Sequence, residues 1–336
     1  MDEKINIKQI AELAGVSVAT VSRVINQNGR FSAETEQRVR EVIEKYRYIP
    51  NVVAKGLRTS KTPVIGVIVP DIANNHFAKL VLELETEFFK NGYSTLICNT
   101  NESEELEQRH IQTLTAQQVT GIVLISGRHY YEPERNIPVL YLDRRPEDIH
   151  DSTDCIVIES DNERGGYLAA KELIAKGCSR IGVLMASGVD MSHRARYRGC
   201  LKAMEEAGMS LSEDRILDVA QVSIDTAHAA VREAASGGDR FDALMCTADI
   251  LAIGAVLGLR ECGLSVPEDV MVTGFDDIDM AYAYNPSVTS IHQFVDKMAG
   301  EAAEIMFDLV EQPGPRRIHR TLPVCLIERE STRRRV

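Results

Sequence analysis

From Pro63 onward the chain repeats one pattern: a short apolar run rich in β-branched residues, then a stretch with helical spacing, then another run. PVIGVIVPD, YSTLICN, GIVLIS, PVLYLD, DCIVIE, RIGVLMA, ALMCTA and VMVTGFD are eight such runs. None alternates cleanly between apolar and polar, which is the mark of strands covered on both faces. Amphipathic stretches separate them, among them 77–91, 165–176 and 250–262. Strand–helix alternation predicts an α/β fold with parallel sheets of βαβ units. So many strands divide best between two sheets. Ligands in such sheets bind beyond the carboxyl ends of the strands, so the residues just after each run are the ones to inspect.

The first sixty residues carry no such runs and read as short helices. Ile7, Ile10, Ala11 and Ala14 recur at helical spacing behind Asn6, a good N-cap, and Gly15 stops that helix. Ser17 sits where a second helix needs a cap, ahead of Val21, Val24 and Ile25. Asn28-Gly29 is a turn signal. Ser32 caps a third helix with Glu34 and Glu36 in its first turn, where carboxylates favour the helix dipole. Val39, Val42, Ile43 and Tyr46 mark its expected buried face, and Pro50 ends the region. Residues 1–60 hold ten Lys/Arg against seven Asp/Glu, or +3; the whole chain is −12, which leaves −15 for residues 61–336. A basic head on an acidic body directs any polyanion to the head.

Composition narrows the rest. The 336 residues are about twice the usual single-domain length, and 44% are apolar and 26% charged, as in a globular protein. No run approaches the ~18 apolar residues of a membrane span. MDEKINIKQI lacks a secretory pattern, so a cytoplasmic location is expected. Seven scattered cysteines form no CxxC pair, so no metal and no redox site is expected. GxGxxG, GxxxxGK[ST], HExxH and GxSxG motifs are missing at the required places, which argues against an enzyme.

IKQIAELAGVSVATVSRVINQ is the most specific segment: two short helices joined by Ala14-Gly15-Val16, as in a helix-turn-helix. With Val16, Val21 and Val24 packed inward, Val18, Ala19, Ser22 and Arg23 face outward. Small residues at such a helix start can enter a major groove and meet thymine methyls, and Arg23 can reach a guanine edge or a phosphate. An αα-hairpin that merely packs would show the same periodicity.

GVSVATVSRVINQ resembles the DNA-binding signature of the lactose/galactose repressor family (LacI/GalR), and the resemblance runs from Ile7 to about Ser331. It implies a DNA-binding set of Ser17, Val18, Ala19, Thr20, Ser22, Arg23, Asn26 and Arg30 in the head. YIPNVVAKGLRTSK is similar to the family's hinge, which implies that Asn51, Lys55, Leu57 and Arg58 also meet DNA, with Leu57 as a minor-groove wedge. The interior Gly56 lowers helix propensity, so this hinge should not be helical alone. The implied domains are a helix-turn-helix over 1–50, a hinge over 51–61 and an effector domain over 62–336. That domain is similar to periplasmic sugar-binding proteins, with two lobes, 62–159 with 294–322 near DNA and 160–291 with 323–336 beyond, and three crossings between them.

The strand ends then supply a candidate ligand set. Asn74, His76 and Phe77 follow the first run, Asp143 and Arg144 the fourth, and Asp276 the last. Arg196 lies near a helix start and Gln293 at a crossing; Asp249 follows ALMCTA. Carboxylates and guanidinium groups around a phenyl ring suit a polyol, since Asp accepts from adjacent hydroxyls and Arg donates in pairs. The pattern resembles the ribose-repressor branch, with two departures: His76 stands where a second aromatic is expected, and Ala248 where Asn is expected. The family implies a homodimer, operator DNA as partner and a pentose effector that releases DNA on binding. Corepression by a small molecule or a phosphocarrier protein is equally compatible with these residues. RESTRRRV, with no leucine heptad, predicts a dimer rather than a tetramer.

Overall fold

The computed structural model describes residues 5–48, 62–127, 129–132, 137–149, 154–188, 191–237 and 241–334. Two compact units result, Met1–Thr62 and Pro63–Val336.

In the first unit, local hydrogen bonds set every helix start. Helix α1 (Ile7–Ala14) opens on a capping box: Asn6 Oδ1 accepts from the amides of Lys8 and Gln9, and Gln9 Oε1 accepts from the Asn6 amide at 2.8 Å. Gly15, at φ 66°, ends it in the left-handed region. Helix α2 (Val18–Asn26) and helix α3 (Ala33–Lys45) start on Ser17 and Ser32, whose hydroxyls accept from the amides of Thr20 and Thr35. Ile10, Ala11, Ala14, Val21, Val24 and Val39 form a small core. Two expectations are corrected here. Val18 is half-buried against this core instead of facing out, because the first turn of α2 leans onto it. Tyr46 is 43% exposed; α3 ends at Lys45, Arg47 takes φ 46°, and the returning chain packs Tyr48 on the core instead.

The second unit contains twelve strands among the described residues, in two six-stranded sheets. The first holds β1 (Thr62–Val69), β2 (Ser94–Asn99), β3 (Val119–Leu124), β4 (Val139–Leu142), β5 (Ile156–Ser160) and β11 (Ile318–Leu322), in the order β11-β5-β4-β3-β1-β2. The second holds β6 (Ile181–Met185), β7 (Ile216–Asp218), β8 (Ala243–Cys246), β9 (Met271–Asp276), β10 (Thr289–Gln293) and β12 (Val324–Ile327), in the order β12-β10-β9-β8-β6-β7. Strand β12 is antiparallel to β10. All eight apolar runs are strands; β7, β10, β11 and β12 are the additions.

Helices α4 (Asn75–Lys90) and α5 (Glu104–Ala116) follow β1 and β2. Helices α6 (Asn162–Ala175), α7 (Met191–Glu206), α8 (Ile224–Ser236), α9 (Asp249–Glu261) and the short α10 (Asp279–Ala283) serve the second sheet. Helix α11 (Val295–Glu311) returns to pack on α4 and the first sheet. The chain thus crosses between sheets after β5, after β10 and between β11 and β12, and the Asp161 amide donates to Leu322 O at 2.8 Å to join two of these crossings. The strand order reverses between β1 and β3 and again between β6 and β8, the points where an open α/β sheet offers a ligand crevice. The seven cysteines are free thiols, five of them buried.

Candidate functional site

In the head, Ala19 and Arg23 are exposed on α2, while Thr20 and Ser22 are half-buried. Ser17 and Thr20 share a hydroxyl–hydroxyl hydrogen bond of 2.9 Å, so the capping pair is pre-arranged. Gly29, at φ 85°, lets the turn close onto the Arg23 side chain, and Arg30 beyond it is exposed. The side chain of Asn26, and Asn51, Lys55, Leu57 and Arg58, lie outside the described residues. A short helix with small exposed residues at its start and a basic residue one turn on is suited to base edges and phosphates.

In the second unit a polar cavity of about 530 Å³ opens at the carboxyl ends of both sheets. From the first sheet come Asn74, His76, Phe77, Asp143 and Arg144. Asn74 caps α4, its Oδ1 accepting from the His76 amide, which aims the next two side chains inward. His76 Nε2 lies 3.1 Å from Asp143 Oδ1, with both side chains buried. Asp143 takes φ 69° at the end of β4, a turn that swings its carboxylate off the strand direction. The Arg144 guanidinium lies over the Phe77 ring at 5.1 Å and forks onto Glu102, with both bonds at 2.9 Å.

The second sheet and its helices contribute Arg196 and Asp276. Arg196 donates from Nε to Asn162 Oδ1 at 2.8 Å and from Nη1 to Thr247 O at 2.7 Å. Its guanidinium stacks 3.6 Å from the Phe275 ring centre and meets Asp276 Oδ1 at 3.4 Å. This placement needs glycine nearby: a Cβ on Gly166 would sit 1.8 Å from Arg196 O, and one on Gly199 would sit 1.9 Å from Glu163 O, so α6 and α7 touch backbone to backbone. Asp276, at φ 107°, also accepts from Gln293 Nε2 at 2.8 Å.

Burial sets the acid–base character of the cleft. It opposes charge on His76, but Asp143 and Asp276 outweigh it and hold that imidazole above its usual pKa. Burial likewise works against the Asp143 carboxylate, yet the His76 and arginine charges bring it below the ordinary range. Asp276 goes the other way, because its burial exceeds the help from Arg196 and His76.

Two sequence-derived candidates are not on this wall. Asp249 is fully buried beneath Gly274; it accepts from the Ile278 amide at 2.9 Å and from Ser290 Oγ at 2.6 Å, so it holds the loop after β9 instead of facing the cavity. Its burial, with Asp276 nearby, raises its pKa well above the usual carboxylate value. Gln293 lies behind Asp276, beside a second cavity of about 360 Å³, and its Oε1 is buried without a partner. Conversely, Glu102, Ser192 and His193 line the main cavity and were not among the candidates. Glu102 follows β2, so the strand-end rule would have found it; His193 lies one turn before Arg196 on the same helix face.

A helix-turn-helix unit and a two-sheet unit with a polar cleft define a DNA-binding regulator that carries its own effector domain. Residues 6–51 match bacterial regulatory proteins of the lacI family, and residues 170–332 match a periplasmic binding protein-like domain. Over 336 aligned positions, 98% of this chain and 99% of the relative, the sequence is 30% identical to the HTH-type transcriptional repressor PurR of Pasteurella multocida (strain Pm70). A structure of the lac repressor dimer bound to operator and the anti-inducer ONPF is similar with TM-score 0.86 at 26% identity, covering 98% of this chain and 99% of that one. A periplasmic binding protein/LacI transcriptional regulator from Alkaliphilus metalliredigens QYMF, complexed with D-xylulofuranose, is similar with TM-score 0.71 at 26% identity, covering 81% of this chain and 100% of that one. The chain belongs to the LacI family: it is a ligand-responsive DNA-binding repressor and not an enzyme. Among the described residues no helix is long and apolar enough to cross a membrane.

Proposed function

We propose that the effector is a small polyol, ribose or a closely related pentose, and that its binding in the cleft releases operator DNA. The observation that carries this reading is the convergence of Asp143, Arg196 and Asp276 from two sheets around the single phenyl ring of Phe77. A polyol needs carboxylates and guanidinium groups for its hydroxyls and one apolar face for its C–H groups. A flat heterocycle needs aromatic faces on both sides, and Phe77 is the one phenyl or phenol ring among the described wall residues. That a related regulator was solved with D-xylulofuranose supports a five-carbon ligand.

In this reading Ser17, Val18, Ala19, Thr20, Ser22, Arg23, Asn26 and Arg30 meet the operator, and residues 51–61 act as the hinge, with Leu57 as wedge. The lobe of β1–β5 and β11 transmits closure, because that linker runs directly into β1. The protein acts as a homodimer on a pseudo-palindromic site. Exposed apolar side chains support a subunit contact: Leu82 and Phe89 on α4, Ile97 on β2 and Tyr282 on α10. A thousand-fold loss of operator affinity requires about 4 kcal/mol of coupling between the sites.

The test is operator binding, on a site selected from genomic DNA, measured by fluorescence anisotropy with and without D-ribose. Release by ribose is the expected result, and Arg23→Ala abolishes specific binding. Tighter binding with ribose establishes corepression instead; a response only to sugar phosphates or nucleobases overturns the pentose assignment.

A further inference from the structure

Glu102 lines the effector cavity and holds one of its two arginines. Its carboxylate takes Arg144 end on: Oε2 accepts from Nη1 and Oε1 from Nη2, both at 2.9 Å. A guanidinium grips a phosphate through the same paired donors. Arg144 is itself buried, and its place over the Phe77 ring keeps it on the wall. The second arginine offers no complete fork. Arg196 Nε donates to Asn162 Oδ1 and its Nη1 to Thr247 O, so one nitrogen of each two-nitrogen edge is already committed to the protein. The described wall carries the carboxyl groups of Asp71, Glu102, Asp143 and Asp276 against these two guanidinium groups. A cavity of about 530 Å³ has room for a pentose phosphate, so charge and donor geometry, not size, decide whether one binds.

We propose that Glu102 is a specificity-determining residue of the effector site: by occupying the Arg144 fork it makes the cleft take an uncharged polyol and reject the phosphate ester of the same sugar. This rests on the polyol reading of the cleft and names the charge class that the site selects. A hydroxyl needs a single donor or acceptor, and the cleft still supplies these. A phosphate needs paired donors and a counter-charge. Glu102 takes away the first and opposes the second, because it engages both Arg144 nitrogens and adds a like charge beside them.

Calorimetric titration of the full-length protein with D-ribose and with D-ribose 5-phosphate tests this, the ratio of the two affinities being the readout. The wild type should bind the ester at least about a hundredfold more weakly than the sugar. Glu102→Gln keeps the length of the side chain and removes its charge, and should narrow that ratio by about tenfold. Adding Arg144→Gln should abolish the gain, because the released guanidinium is what grips the phosphate. Glu105→Gln removes a carboxylate from the exposed start of α5, off the cavity wall, and should leave the ratio at its wild-type value. A ratio unchanged in Glu102→Gln, a change of the same size in Glu105→Gln, or a gain that persists in the double variant overturns the role of Glu102 and leaves the polyol reading standing. Equal binding of both ligands by the wild type does the same. A wild type that binds only the ester, or neither ligand, overturns the polyol reading, and this proposal with it.

Discussion

The two walls of the cleft are built differently. On the second-sheet side, Arg196 is fixed by a backbone carbonyl, a buried amide and the Phe275 ring, on a helix that touches its neighbour backbone to backbone. On the first-sheet side, Asp143 and Arg144 are held by other side chains, His76 and Glu102. Glu102 is 35% exposed and sits with Asn101 in a loop where both residues have positive φ. One wall is therefore a fixed platform. The other depends on ion pairs that a ligand can exchange.

The largest effect expected from this comparison is that of Arg196→Ala. It leaves Asp276 buried without its cation and strands the Asn162 and Thr247 oxygens, so chemical denaturation should show a loss of about 3–5 kcal/mol. Effector response should vanish, while the separate head keeps its operator affinity without effector. A loss below 1 kcal/mol, on the scale of exposed ion pairs, would remove the distinction between the walls. Gly166→Ala comes next. Its methyl must push Arg196 O away from 1.8 Å, and helix displacement should cost about 3 kcal/mol, at the upper end of overpacking. A crystal structure of this variant with α6 and α7 unmoved would contradict the account.

Asp249 sharpens the comparison through pH. Its carboxyl is held above its unfolded pKa by burial, so the folded state binds more protons than the unfolded one. The contribution of this group therefore grows as pH falls and is lost as pH rises from the ordinary carboxylate range towards neutrality. Asp249→Asn removes that dependence. The stability difference between wild type and variant should change with pH by up to about 1.4 kcal/mol per unit across this window. His76 and Asp143 titrate in both proteins, so they drop out of the difference. A pH-independent difference from thermal unfolding would mean that Asp249 is ionised like a surface carboxylate.

The smallest effect belongs to Glu102→Ala. Breaking its fork to Arg144 should cost below about 1 kcal/mol, since Glu102 is partly exposed and water replaces it. Affinity for the proposed polyol effector, followed by calorimetry, should change by less than about tenfold. A loss as large as that of Arg196→Ala would make the two walls equivalent.

The helix caps of the head, Asn6, Ser17 and Ser32, and the left-handed Gly15 were legible in the sequence because each is settled by bonds within three residues. The eight apolar runs were legible as strands because a strand covered on both faces needs no partner to be recognised. Strand β11 was not, since IHRTL has no apolar run and becomes a strand only by pairing with β5. Tyr46 looked buried by periodicity, but the helix stops one residue short and Tyr48 takes the core position. Asp249 looked like a ligand residue by its place after a strand, yet Ser290 and Ile278, both distant in sequence, claim its oxygens.

What the sequence determined by itself was thus the class: a helix-turn-helix head, an α/β body, and strand-end residues of the right chemistry for a polar ligand. Only the tertiary structure decided which of those residues share a cavity, that Arg196 is held by buried groups while Arg144 pairs with the half-exposed Glu102, and that His193 joins them. The physical reason is range. Caps and strand runs are fixed by neighbours along the chain, whereas a binding wall is assembled from residues far apart in sequence, such as Arg196 and Asp276, 80 positions apart, whose meeting depends on how closely two helices can approach.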